Sequence, residues 1–275
     1  MIFLERQVFA VFNMTSPRDH KGNRKGSRRY QAGGTVRPNR PYVERAADDE
    51  LFEALLRGEF CYVFNCRQIG KSSLLARVRR RLEAEAVFCG AIDLTSLGAD
   101  HVTPEQWYRG LVGELNKVFG WLLGQKPELD AWWEALGNLP LAQRLGQFLD
   151  ELLVRVPDRP IVIFIDEIDT VLSLERDYGV KTGDFFALLR AFDNRRAETS
   201  GQDYERLTFA LFGAATASRL MRDRSRTPFN IGRAIDLGPL ALEQSDCLLA
   251  GLEGSVAEPQ RVLAAVFGWS GGSRF

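Results

Sequence analysis

The sequence predicts an α/β protein in three layers, with a central parallel sheet covered by helices on both faces. Two observations carry this. Short, wholly apolar runs such as Ile161–Ile165 and Leu207–Phe212 have the composition of strands buried on both sides. Segments with helical spacing separate them, and alternation of strand and helix is the order of a parallel sheet. The 275 residues, 45% hydrophobic and 26% charged, exclude wholesale disorder and fibrous rods. That length allows one large α/β domain or about two smaller ones.

The elements follow in order. Residues 15 to 41 are rich in Gly, Pro, Ser, Asn and Arg, and residues 18 to 29 carry six basic groups against Asp19 alone, which reads as a solvated basic tail. Asp48, Asp49 and Glu50 suit the first turn of a helix with an apolar stripe at Leu51, Phe52, Leu55 and Leu56, ended by Gly58. Phe60–Phe64 is the first strand, followed by a loop and a helix with Leu74, Leu75, Val78 and Leu82 in register. Val87–Leu94 is the second strand. Thr103, Pro104 and Gln106 supply an N-cap, an N1 proline and a capping box for a helix reaching about Leu123. Helices over 129–136 and 141–156 lead to the apolar strand Ile161–Ile165. Asp184 is expected to cap a helix over 185–197, and strands at 207–212 and 234–237 follow. Two amphipathic helices, 242–252 and 259–267, close the sequence.

Charge and cysteine content narrow the function classes. Thirty-six basic residues balance 36 acidic ones, so no global field draws the chain to nucleic acid or anionic lipid. The longest apolar runs fall far short of the roughly 20 residues of a membrane span, and the start lacks a signal-peptide core, so a cytoplasmic protein is expected. Cys61, Cys66, Cys89 and Cys247 show no CxxC spacing and only His20 and His101 accompany them, which predicts reduced thiols and no zinc site. The abundance of Arg over Lys runs along the whole chain and reads as composition bias.

Asn65-Cys66-Arg67-Gln68-Ile69-Gly70-Lys71-Ser72 matches the phosphate loop GxxxxGK[ST] at every position but the first. Glycine supplies a positive φ there, and Asn is the residue that next most readily accepts left-handed geometry. Amides of such a loop and the N-terminus of the next helix make an anion site for the α and β phosphates. Lys71 would reach the β and γ phosphates, and Ser72 would coordinate Mg²⁺. The nucleotide-binding set is Asn65, Arg67, Gln68, Ile69, Gly70, Lys71, Ser72 and Ser73. Farther on, the apolar strand at 161–165 delivers Asp166 and Glu167 at its carboxyl end, where open α/β sheets bind ligands. Asp166 would hold the metal and Glu167 would orient and deprotonate water. Asp169 reads as a turn cap or an Arg partner. After 207–212, Thr216 is the first choice and Ser218 the second for a group sensing the γ-phosphate, while either equally suits a helix cap. Arg219, Arg226 and Arg233 are candidates for transition-state charge. Arg190, Arg195 and Arg196 read as surface or subunit-interface groups, and Cys66 as a small filler rather than a redox switch.

Together these motifs predict a three-layer P-loop NTPase fold. The segments PYVERAADDELFEALLRGEFCYVFNCRQIGKSSLLARV, AIDLTSLG, VTPEQWYRGL, IVIFIDEIDTVLSL, LTFALFGAATASRLMRD, RTPFNIGRAIDL and GWSGG resemble the bacterial AAA-like domain of the STAND class of signalling P-loop ATPases, over about Gly33 to Gly272. VTPEQWY and TPFNIGR are the more specific of these. The resemblance implies a switch controlled by ATP and ADP with Mg²⁺, a helical lid, and attached repeat or effector domains. It assigns phosphates to Gly70, Lys71 and Ser72, the metal to Asp166, water activation to Glu167, and the adenine side to Tyr42, Val43 and Arg45. Asn65-Cys66 departs from the small residue and Pro usual before Arg-Gln. The expected organisation is a basic tail over 1–32, an ATPase domain over 33–240 and part of a helical lid over 241–275, with low intrinsic turnover for want of the remaining lid.

The leading functional expectation is an ATP-binding, slowly hydrolysing switch, with nucleotide-dependent self-association and no membrane partner. Two alternatives stay open. One is a nucleic-acid-dependent AAA+ ATPase of the initiator or transposition-helper kind, using the basic tail. The other is a remnant that binds nucleotide without turnover.

Overall fold

The computed structural model describes residues 34–38, 40–98, 102–120, 124–178, 182–196, 203–220, 228–253 and 256–272. The basic tail and Arg226 lie outside the described residues, as does the side chain of Ser218. By its internal contacts the chain divides into two units, one of residues 1–46, 68–73 and 238–275 and one of 47–67 and 74–237.

The larger unit holds the sheet. Five strands, β1 (Cys61–Phe64), β2 (Phe88–Asp93), β3 (Ile161–Asp166), β4 (Leu207–Gly213) and β5 (Arg233–Ala234), lie in the order β2-β3-β4-β1-β5. All pair in parallel, with Ile163 opposite Phe209 and Val63 opposite Phe212. Every residue of β3 and β4 is buried, as two-sided coverage demands. Ile161, Ile163 and Ile165 with Leu207, Phe209 and Leu211 point into one core cluster, and the alternate residues Val162, Phe164, Ala210 and Phe212 are buried on the opposite face. Each such aliphatic or aromatic side chain contributes about 1.5–3 kcal/mol.

Helices follow strands as the periodicity requires: α1 (Ala46–Leu56), α2 (Lys71–Ala84), α3 (Pro104–Val118), α4 (Lys126–Ala135), α5 (Leu141–Arg155), α6 (Thr170–Tyr178), α7 (Thr182–Arg195) and the short α8 (Ala217–Leu220). The capping box of α3 forms as expected: Gln106 N–H donates to Thr103 Oγ1 at 3.2 Å and Thr103 N–H to Gln106 Oε1 at 2.9 Å. Trp107, fully buried on α3, meets the Phe185 ring of α7 edge-on at 5.5 Å. Arg206 donates to Leu153 O at 2.9 Å and so satisfies a carbonyl in the last turn of α5.

Some boundaries differ from expectation. α3 ends five residues short of Leu123, because Gly120 with φ 76 follows its last turn. α7 begins at Thr182, so Asp184 sits inside its first turn, where a carboxylate favours the dipole, instead of capping it. α6, over Thr-Val-Leu-Ser-Leu-Glu-Arg-Asp-Tyr, has no counterpart in the expected elements; its nine residues are too few to establish a period. β5 spans Arg233–Ala234 and shares only Ala234 with the expected 234–237 strand.

Two helix ends use one device with different residues. After α1, Gly58 (φ 72) lets Glu59 N–H reach Ala54 O at 2.9 Å; after α2, Ala86 (φ 61) does the same for Val87 N–H and Leu82 O at 3.0 Å. Asp158, just before β3, is also left-handed at φ 59.

In the smaller unit, α9 (Asp246–Leu252) and α10 (Pro259–Ser270) pack through Leu252, Val262 and Leu263. The single helix expected over 242–252 is broken at Ser245, whose buried hydroxyl donates to Ala241 O at 2.6 Å and competes with helical pairing. No described helix is long and apolar enough to cross a membrane.

Candidate nucleotide site

In the larger unit the carboxyl ends of β1, β4 and β3 stand side by side. Asn65 follows β1, and its φ is not positive, which corrects the left-handed turn expected there. Asn65 serves as a tether instead. Its backbone N–H donates to Gly213 O at 3.1 Å, its Nδ2 to Leu237 O at 2.9 Å, and its Oδ1 accepts from Cys66 N–H at 2.8 Å. The left-handed residues of the loop are Gln68 (φ 65) and Gly70 (φ 104). Cys66, Arg67 and Gln68 are exposed.

Across β4, Asp166 closes β3 and is 8% exposed. Its Oδ1 accepts the N–H of Glu167 at 2.9 Å. Glu167 itself is left-handed at φ 53, a conformation that costs a non-glycine residue about 1 kcal/mol or more and persists only where its surroundings impose it. Those surroundings are explicit: Ile168 N–H donates to Phe212 O at 2.9 Å and Thr170 N–H to Glu167 O at 3.0 Å. Asp169 Oδ1 accepts Ala214 N–H at 2.7 Å, so it binds the end of β4. A Cβ on Gly213 would lie 2.7 Å from Ile168 Cγ2 and 2.9 Å from Asp169 Oδ1, which explains glycine at that position.

Thr216 is exposed, and its carbonyl accepts from Arg219 and Leu220 N–H at 3.0 and 3.2 Å, placing it at the start of α8. Arg219 is exposed on α8. Arg233 pairs with Glu50 at 2.9 Å and Glu59 at 3.3 Å. Those hydrogen bonds hold its guanidinium more firmly protonated, while Arg57, then Arg233, hold Glu59 below the usual carboxylate range. Arg195 likewise braces the fold, meeting Asp150 at 3.6 Å and Tyr204 OH at 3.2 Å, and Arg196 pairs with Asp193 at 3.3 Å.

In the smaller unit, Gln68–Ser73 is held by Arg45 and Ser73. Buried Arg45 donates from Nη1 to Ile69 O at 2.9 Å and to Gly238 O at 3.4 Å, and Ser73 Oγ accepts Val36 N–H at 3.1 Å. Besides the adenine-side place that the resemblance implies for it, Arg45 holds the loop's own backbone, a contact no spacing rule reveals. Tyr42 accepts from Cys247 Sγ through its carbonyl at 3.5 Å, and Val43 is buried. Lys71 is 6% exposed at the first position of α2, and Ser72 follows it half-buried.

The loop fits a phosphate chain. Positive φ at Gln68 and Gly70 bends the backbone tightly there, and among the described residues the amides of Gln68, Ile69 and Gly70 donate to no protein acceptor, as an anion-binding loop requires. The Ser72 hydroxyl and the Asp166 carboxylate are hard oxygen donors of the kind Mg²⁺ takes alongside water and phosphate. All four cysteines are free thiols. Burial pushes Cys61 and Cys89 up to about 12; Cys66 and Cys247 are exposed, and partial desolvation also raises Cys247.

Comparison with known proteins agrees with this geometry. An uncharacterised WD repeat-containing protein of Synechocystis sp. is 42% identical over 248 residues, 90% of this chain. The chain spans only 20% of that relative's length. A Walker-type ATPase of Pyrococcus abyssi has the same fold, with a TM-score of 0.52 at 19% identity over 82% of this chain and 63% of that one. The ORC1 protein of Aeropyrum pernix, solved in complex with DNA, shows a weaker likeness, with a TM-score of 0.48 and 17% identity over 78% of this chain and 52% of that one. The family model for AAA-like domains matches residues 32–269, and the chain belongs to that family.

Proposed function

We propose that the chain binds ATP and ADP with Mg²⁺, hydrolyses ATP slowly, and acts as a nucleotide-controlled switch of the STAND signalling kind. One observation carries the reading. β1, which leads into the phosphate loop, and β3, which ends in Asp166 and Glu167, run parallel on either side of β4, so both motifs leave the carboxyl edge of one sheet. Membership of the AAA-like family supports nucleotide as the ligand.

In this reading the amides of Gln68 to Gly70 and the start of α2 receive the phosphates, and the Lys71 ammonium neutralises the β and γ groups. At about 4 Å such a charge contributes on the order of 4 kcal/mol at a near-surface effective dielectric. Mg²⁺, when bound, supplies Lewis-acid polarisation of the phosphates, with Ser72 and Asp166 as its protein ligands. Glu167 accepts a proton from the attacking water. Thr216 senses the γ-phosphate and Arg219 adds cationic charge, while Tyr42, Val43 and Arg45 line the base side. Residues 33–240 form the ATPase domain, 241–275 a helical lid segment, and 1–32 a basic tail.

The test is Mg·ATP and Mg·ADP binding, turnover and size analysis of the purified chain, with and without DNA. Nucleotide-dependent self-association without DNA supports the switch. Salt-sensitive DNA binding that accelerates turnover transfers the assignment to a nucleic-acid-dependent ATPase, for which the basic stretch 18–29 is the sequence argument.

A further inference from the structure

We propose that Asp169 is a positioning residue, which joins the end of β4 to the carboxylate turn after β3 and so transmits the state of the Gly213–Thr216 segment to Glu167. The inference rests on the ATPase reading above and deepens it.

Two contacts make the join. The backbone N–H of Ile168 donates to Phe212 O at 2.9 Å, and the carboxylate of Asp169 accepts Ala214 N–H at 2.7 Å, a short bond of the charge-assisted kind. They bracket Gly213, whose Cα lies too close to Ile168 and Asp169 to carry a side chain. The other side of Gly213 is fixed as well, since its carbonyl accepts Asn65 N–H at 3.1 Å. A shift of the peptide between Gly213 and Ala214 therefore pulls on both the first residue of the phosphate loop and the turn that holds Glu167.

Glu167 is the residue such a pull would move. It lies between Asp166, fixed at the end of β3, and Ile168, fixed to Phe212, in a left-handed conformation that its neighbours impose. Where its carboxylate points depends on that backbone conformation. Asp169 has no need to touch nucleotide or water in this scheme. Its oxygen acts as an acceptor, so an amide oxygen should serve nearly as well, which separates positioning from acid–base chemistry.

The test uses the full chain and the variants Asp169→Ala and Asp169→Asn. In Asp169→Ala, ADP affinity should stay within about two-fold of the parent, turnover at saturating Mg·ATP should fall about ten-fold, and the amide of Ala214 should exchange with deuterium faster. Asp169→Asn should recover turnover to within about three-fold of the parent and restore most of the protection. In the parent, ATP should slow exchange across 213–217 more than ADP does, and Asp169→Ala should abolish that difference. An Asn variant as slow as the Ala variant would overturn the proposal, because charge rather than the acceptor would then matter. Parent-like turnover in Asp169→Ala with lost protection at Ala214 would overturn it too. If Asp169→Ala does not fold, Asp169→Asn decides alone: its loss of protection and its loss of turnover must rise together, and a change in one without the other rejects the coupling. A parent that binds no Mg·ATP rejects the ATPase reading itself, a result distinct from normal binding with no effect at Asp169.

Discussion

The amide of Asn65 donates to the carbonyl of Gly213 at 3.1 Å, tying the first residue of the phosphate loop to the last residue of β4. The Asn65 side chain adds bonds to Leu237 O and Cys66 N–H. Asn65→Gly, which restores the residue usual in the motif, should therefore destabilise the chain by about 1–2 kcal/mol through the loss of those two bonds. Urea unfolding measures this. An equal or higher midpoint would show that the side-chain bonds contribute nothing.

Lys71 is buried at the start of α2, where its charge has no neutral substitute. Lys71→Ala should weaken Mg·ATP binding about 10²-fold or more, read by titration with a fluorescent analogue. Affinity equal to the parent's would remove this loop as the phosphate site.

Glu167 combines a chemical role with an unfavourable backbone conformation at φ 53, and the two can be separated. Glu167→Gln should retain ATP binding and lose about 10²–10⁴-fold in turnover. Glu167→Gly should be equally inactive but raise thermal stability by about 1 kcal/mol, because glycine adopts the left-handed region without penalty. Unchanged turnover in the Gln variant would place the base elsewhere.

The thiols make a pH-dependent prediction. Burial raises Cys61 and Cys89 to about 12 in the folded chain, against an ordinary 9.0 when exposed. Between those values only the unfolded chain ionises, so the stability these thiols contribute is intact below pH 9 and declines as pH rises toward 12. At pH 8 a disulfide-exchange reagent should titrate Cys66 and Cys247 in the native chain, Cys247 slowed by the desolvation that raises its thiol, and Cys61 and Cys89 only after denaturant is added. Four fast thiols in native protein would contradict the burial.

Much of this was legible in the amino acids. The run Ile161–Ile165 needs two covered faces, and its burial in β3 follows from composition alone. Thr103 and Gln106 announced the start of α3 because a capping box is local chemistry. What local patterns could not disclose were contacts made across the sheet. The bond from Asp169 to Ala214 joins residues 45 positions apart, and Arg45 reaches Ile69 across 24. Asn65 shows the same limit from the other side. Its tolerance of left-handed geometry was the right propensity for the motif, yet pairing with Gly213 and Leu237 decided its conformation. Likewise, the pairing of Arg233 with Glu50 and Glu59 joins segments distant in sequence.

The left-handed alanine that ends α2 has a bearing on how the chain tolerates laboratory evolution. Ala86 occupies the place that Gly58 fills after α1, is exposed, and precedes β2 at the amino edge of the sheet, opposite the edge from which the nucleotide motifs depart. Ala86→Gly should relieve the steric cost with almost no packing lost, a gain on the order of 0.5–1 kcal/mol. Asp158, left-handed just ahead of β3, offers a second position of the same kind. The amino edge thus holds an untapped margin of robustness, one that a mutational library could draw on to absorb destabilising changes at Glu167 or Asp169 without altering any residue that faces the phosphates.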